Sequence, residues 1–173
     1  HRALGELKGV ASNIPNQYIL LGTLSLQEAK ESSAIENIIT THDDLYRSDY
    51  DSKTFVSHSA KEVHNYAQAL NSGFGIVKKM ELLTNNTLIE IQSILEENNA
   101  GFRTQAGTML KNEQTDEVIY MPPQDRDEII RLMTDLEKFI NEDDSCDHDD
   151  LIKMALIHHQ SESIHPFYDG NGR

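Results

Sequence analysis

"SIHPFYDGNGR", Ser163–Arg173, is the stretch on which the reading of this chain turns. Taken alone, Gly-Asn-Gly is a weak signal, because turns use both residue types everywhere. The surrounding residues make it stronger. Gly170 and Gly172 flank Asn171, so successive backbone N–H groups can face one concavity, an anion nest. A helix beginning just after it would add partial positive charge at the same spot. Arg173 supplies a planar fork matched to phosphate oxygens. Asp169 is a hard oxygen ligand suited to Mg²⁺ bridging phosphates. His165 titrates near neutrality and is placed to accept a proton. Singly, each residue has a plainer reading as a helix cap or a turn former. Together they spell phosphoryl or nucleotidyl transfer.

Outward from this loop, the chain reads as helical. A helix is expected from Asp150 through Leu151, Met154, Ala155 and Ile157. It should end near His165, because Pro166 disfavours helical geometry in the residue before it. Leu88, Ile91 and Leu95 share one helical face, and Ile129, Leu132, Met133, Leu136 and Ile140 form a broader stripe. Capping boxes predict helix starts at Ser25 with Glu28, Ser59 with Glu62, Thr87 with Glu90 and, more loosely, Asp125 with Glu128. One region differs. "TMLKNEQTDEVIYMPP" holds two β-capable runs, Thr108–Leu110 and Val118–Met121, around a polar turn, which predicts a small hairpin set into a helical protein. The acidic run between Asn141 and Asp150 reads as a solvated loop.

Bulk composition narrows the function classes. At 173 residues the chain fits one domain with a sizeable core. Fifteen basic against twenty-nine acidic residues give a net charge of −14. Such a field repels nucleic-acid backbones and anionic membranes. No apolar run approaches the roughly 18 residues that a membrane span requires. The single Cys146 excludes an internal disulfide and fits a reducing compartment. Other clusters carry less. His158, Glu162 and His165 fall at near-helical spacing, but helix packing explains them better than a metal triad. Cys146 and His148 alone do not make a metal site.

"HPFYDGNGR" resembles the core motif of the Fic (filamentation induced by cAMP) family, His-x-Phe-x-Asp/Glu-Gly-Asn-Gly-Arg-x-x-Arg. His165, Phe167, Asp169, Gly170, Asn171, Gly172 and Arg173 all match it. Upstream, "ALGELKGVASNIPN" and "LQEAKESSAIENIITTHDDLY" are similar to the N-terminal part of bacterial Fic proteins. "VIYMPP" is similar to the end of the family's flap hairpin. Nearly the whole chain is covered. Ser161 stands where relatives often carry Phe, while Glu162 fits the pattern.

The resemblance implies a mainly α Fic-type helical bundle with a β-hairpin flap, one domain over 1–173. Residues 1–50 would carry an inhibitory helix and 51–173 the catalytic core. It implies a cytoplasmic protein adenylyltransferase that moves AMP from ATP to a Ser, Thr or Tyr hydroxyl of a target protein. His165 would be the base and Asp169 would hold Mg²⁺. Gly170, Asn171 and Gly172 would cradle the phosphates with help from the Asn171 side chain, and Arg173 would neutralise developing charge. Phe167 would anchor the loop. The flap, with Lys111, Val118, Ile119 and Tyr120, would hold the target by strand-like pairing. Ser32, Glu36 and Asn37 in "SSAIEN" are similar to the family's inhibitory motif, in which the glutamate occupies the core motif's second arginine. That arginine would fall three residues past Arg173, so the resemblance implies a chain that continues. The same fold also hosts alternatives: a non-catalytic nucleotide-binding regulatory module, removal of AMP, or transfer of another phosphate-containing group. A homo-oligomer is compatible with all of these. Direct nucleic-acid or membrane binding is not expected.

Overall fold

The computed structural model describes residues 1–11, 13–15, 17–48, 54–112, 114–142 and 149–173. Among them are seven α-helices and one two-stranded antiparallel sheet. The order is α1 (Arg2–Ala11), α2 (Gln17–Ile35), α3 (His42–Arg47), α4 (His58–Met80), α5 (Asn85–Leu95), β1 (Leu110–Lys111), β2 (Val118–Tyr120), α6 (Arg126–Asn141) and α7 (Asp150–Ile164). The mainly helical class with a small hairpin is therefore observed. No helix among the described residues is long and apolar enough to cross a membrane. Cys146 and His148 lie outside the described residues.

The chain forms two compact units, His1–Ala67 and Gln68–Arg173. In the first, Ala29, Leu45, Ala60 and Val63 form a core, with Leu26, Ile38 and Tyr66 packed against it. The two alanines are fully buried. The small side chains permit close approach of backbones. Helix α2 ends in a turn closed by Asn37, whose φ of 62° is left-handed. There Ile38 N–H donates to the Ser33 carbonyl at 3.1 Å. Asn is among the few non-glycine residues that visit this conformation readily, which gives a physical reason for Asn at the end of "SSAIEN".

In the second unit the core is Ile129, Met133, Leu136 and Ile164, joined by Leu88, Phe102, Leu132, Ile140 and Ile157. The α6 stripe read from the sequence is thus the face that packs on α5 and α7. At Gly73 an added Cβ would lie 2.6 Å from Ile91 Cδ1, so a larger residue there would push the Ile91 side chain of α5 aside. The Asn141 side chain joins α6 to the start of α5: its Oδ1 accepts from Leu83 N–H at 2.9 Å and its Nδ2 donates to the Leu83 carbonyl at 2.8 Å.

Three helix starts differ from the capping-box reading. Thr84, not Thr87, caps α5, with Thr87 N–H donating to Thr84 Oγ1 at 3.2 Å. Ser57 Oγ accepts from Ala60 N–H at 3.1 Å ahead of α4, so Ser59 is already helical. Ser25 lies inside α2. Asp125 caps α6 as expected, accepting from the N–H groups of Asp127 and Glu128 at 3.0 Å each.

Candidate active site

Helix α7 stops where Pro166 predicts, and its C-cap is His165 at φ 50°, ψ 61°. His165 N–H still bonds back to the Ser161 carbonyl at 3.0 Å, so the helix fixes where the imidazole begins. The left-handed turn then throws the chain into the loop that follows. Phe167 pins this loop, its ring 5.3 Å from that of Phe102, a member of the second core. The anchoring role expected of Phe167 is what its packing provides.

Asn171 shapes the loop from inside. Its Oδ1 accepts from Phe167 N–H and its Nδ2 donates to the Phe167 carbonyl, both at 2.9 Å. This side chain staples the loop, a task that sequence reading did not give it. The Gly170 N–H donates to Asp169 Oδ1 at 2.8 Å. Gly170 has φ +75°, and a Cβ there would meet Glu96 Oε1 at 2.8 Å and Leu95 Cδ2 at 2.9 Å. The conformation favours glycine, and a Cβ would also push on the Glu96 carboxylate and the Leu95 side chain. Arg173 is ion-paired to Glu96, with side-chain exposures of 3% and 14%. The guanidinium expected to meet phosphate thus has a carboxylate partner just past α5.

Two residues that sequence reading missed hold this arrangement. Glu96 is one. The other is Arg103, which is fully buried. Its Nε donates to the His165 carbonyl at 2.7 Å and its backbone N–H to the Pro166 carbonyl at 2.8 Å. Its Nη2 bonds to the Pro123 carbonyl and lies 3.5 Å from that of Ile164, and Nη1 is 3.5 Å from the Gln105 carbonyl. Burial pulls this guanidinium below its usual value, and Tyr168 opposes the shift. The only sequence signal was an arginine beside Phe102, just ahead of the hairpin.

The hairpin pairs Leu110 with Tyr120 and Lys111 with Val118, with an irregularity between Leu110 and Lys111. Val118, Ile119 and Tyr120 are all exposed. Lys111 Nζ bonds Asp116 Oδ1 at 2.7 Å across the turn. Two ties reach toward the α7 end of the site. Tyr120 OH donates to the Ser163 carbonyl at 2.8 Å, and Tyr168 OH accepts from Thr104 N–H at 2.9 Å. The Thr104 hydroxyl and N–H together hold the Tyr168 phenol below its ordinary pKa. Between the hairpin and α7 lies a cavity of about 540 Å³, lined in part by Met109, Leu110, Tyr120, Glu162 and His165.

The structure therefore gathers His165, Asp169, Gly170, Asn171, Gly172, Arg173 and the hairpin in the second unit. Ser32, Glu36 and Asn37 belong to the first. Ser32 Oγ donates to Glu28 Oε1 at 3.3 Å, and Glu36 N–H donates to the Ser33 carbonyl at 3.1 Å. Among the described residues no three His, Cys, Asp or Glu side chains are gathered as a metal cage, so His158, Glu162 and His165 form no such triad. Asp169 presents a single exposed carboxylate. That donor set fits Mg²⁺, which is typically held by one or two carboxylates together with substrate phosphates.

Comparison with known proteins bears on the fold. Residues 1–75 match a family model described as Fic/DOC family N-terminal, and residues 82–173 match one described as Fic/DOC family. The chain is similar to a Fic family protein from Desulfovibrio desulfuricans G20, with 23% identity, a TM-score of 0.73, and coverage of 98% of this chain and 50% of that one. It is also similar to a Fic domain containing signaling protein from Bacteroides thetaiotaomicron VPI-5482, with 20% identity, a TM-score of 0.70, and coverage of 87% and 59%. Fic-1 from C. elegans gives 15% identity, a TM-score of 0.68, and coverage of 99% and 52%. These likenesses concern the fold. The chain spans between half and three fifths of the length of these solved structures.

Proposed function

The chain belongs to the Fic/DOC family, and from that premise we propose that it is a protein adenylyltransferase restrained by Glu36. The reading is carried by one observation: His165 lines the cavity beneath an exposed hairpin and leads directly into the stapled Asp169–Arg173 loop. In this mechanism a target segment lies along the hairpin beside Lys111 and Val118–Tyr120, where backbone pairing positions it. His165 takes the proton of the target hydroxyl as its oxygen attacks the α-phosphorus of ATP. The bond from that phosphorus to the bridging oxygen breaks, and pyrophosphate leaves with the electron pair. Backbone N–H groups of Gly170, Asn171 and Gly172 face the phosphates, and the Gly170 amide exchanges its Asp169 bond for a phosphate oxygen. Arg173, held by Glu96, stabilises the charge that develops on the leaving group. Asp169 would hold Mg²⁺, whose charge offsets that of the phosphates when bound.

Glu36 supplies the restraint. It stands at the end of α2, where the left-handed Asn37 fixes the turn after it. By the family's logic its carboxylate occupies the motif's second arginine and so blocks productive ATP binding. The test is labelling of cell lysate with ATP radiolabelled at the α-phosphate, comparing the parent full-length protein, Glu36→Gly and Glu36→Gly/His165→Ala. Label should rise on removing Glu36 and vanish on removing His165. Equal labelling by parent and Glu36→Gly would refute the restraint. No label at all, with nucleotide binding intact, would point instead to a non-catalytic nucleotide-binding module.

A further inference from the structure

The hairpin and the histidine loop are far apart in sequence, yet one side chain holds both. Residues 104–123 leave the fold directly after Arg103, form the hairpin and return at Pro123. The Arg103 guanidinium bonds the carbonyl of Pro123 and approaches that of Gln105, the two flanks of this excursion. The same group bonds the His165 carbonyl, approaches that of Ile164, and is seconded by the Arg103 N–H on Pro166. Carbonyl groups from the base of the flap and from the end of α7 thus share a single rigid fork with five donors. A lysine offers a point charge in its place and cannot span both sides.

We infer that Arg103 is a positioning residue that couples the hairpin to His165, so that the segment docking a target and the base acting on it move as one body. Its role in transfer rests on the adenylyltransferase reading, but the coupling itself does not. Displacement of either flank pulls on the guanidinium and, through it, on the backbone carbonyl of the histidine. Two outer ties run in parallel: Tyr120 OH to the Ser163 carbonyl and Tyr168 OH to Thr104. These join exposed side chains, whereas Arg103 is fully buried, so it is the connection that water does not compete for.

Hydrogen–deuterium exchange on the full-length protein and its Arg103→Lys and Arg103→Gln variants tests this. Two amides report on the loop, His165 bonded to Ser161 and Phe167 bonded to Asn171. Two report on the hairpin side, Gly107 bonded to Gln124 and Asn112 bonded to Glu117. Whichever variant melts closer to the parent is the one read. Exchange should quicken by about tenfold at all four amides together, as expected for lost buried hydrogen bonds, with α6 unchanged. Faster exchange on one side alone, on neither, or equally throughout α6 would overturn the coupling. The adenylyltransferase reading is judged separately in the same proteins. Where the parent transfers AMP, the variant should lose about tenfold in kcat while its KM for ATP stays within about twofold. If the parent transfers none, that reading fails and the exchange result still decides the coupling.

Discussion

In the loop His165–Arg173 the fastenings point inward. Arg103 grips its backbone from the core, Asn171 bonds both ways to Phe167, and Phe167 packs on Phe102. In the hairpin Leu110–Tyr120 they are few, and most side chains face outward. Ile119 is 62% exposed and Leu110 57%, and the strands are two and three residues long. Both regions line one cavity. A group that must meet a phosphate within tenths of an ångström needs a rigid support. A surface that must accept a chain from another protein gains from being open and adaptable. Under the proposed function the loop carries the chemistry and the hairpin the recognition, and Arg103 joins the two at their bases.

The contrast can be broken most forcefully at His165. Replacing it with Ala should lower AMP transfer by about 10²- to 10⁴-fold, the usual contribution of a general base. Activity within tenfold of the parent would remove the imidazole from the chemistry. Next is Gly170→Ala, which must place a Cβ 2.8 Å from Glu96 Oε1 at φ +75°. About 2–4 kcal/mol of stability should be lost in chemical denaturation; an unmoved midpoint would mean that the loop yields as easily as the hairpin. Asn171→Ala removes both bonds to Phe167 and should cost about 1–3 kcal/mol by the same measurement. Smallest is Tyr120→Phe, which deletes one exposed tie to Ser163. The denaturation midpoint should shift by no more than about 1 kcal/mol, while KM for the target protein rises a few-fold. A large stability loss there would erase the distinction between the two regions.

The sequence made some of this legible and hid the rest for identifiable reasons. Ile129, Met133 and Leu136 repeat at helical spacing, so the buried face of α6 could be read directly. Pro166 marked the end of α7 near His165, which caps the helix after Ile164. The α5 start was misread because Thr87-x-x-Glu90 satisfies a capping pattern, whereas Thr84 three residues earlier takes the cap. A four-residue pattern recurs inside helices as readily as at their ends. Arg103 and Glu96 were invisible for another reason. Their partners His165 and Arg173 lie 62 and 77 positions away, and no periodicity encodes a contact formed only by folding. Asn171 stood out in the motif, but its two bonds to Phe167 did not, because no spacing rule encodes a side chain that fastens its own loop.

His165 occupies a left-handed backbone position that glycine enters freely and that residues with a side chain visit less readily. If the imidazole is the base proposed above, its use keeps at 165 a residue that stability alone would not choose. A descendant of this chain that no longer needed a base would stabilise itself by drifting to Gly or Asn at 165. It would keep Phe167, Gly170 and Asn171, since these hold the loop whether or not anything is transferred. Loss of function in this lineage would thus leave a recognisable scar: an intact staple around an emptied position.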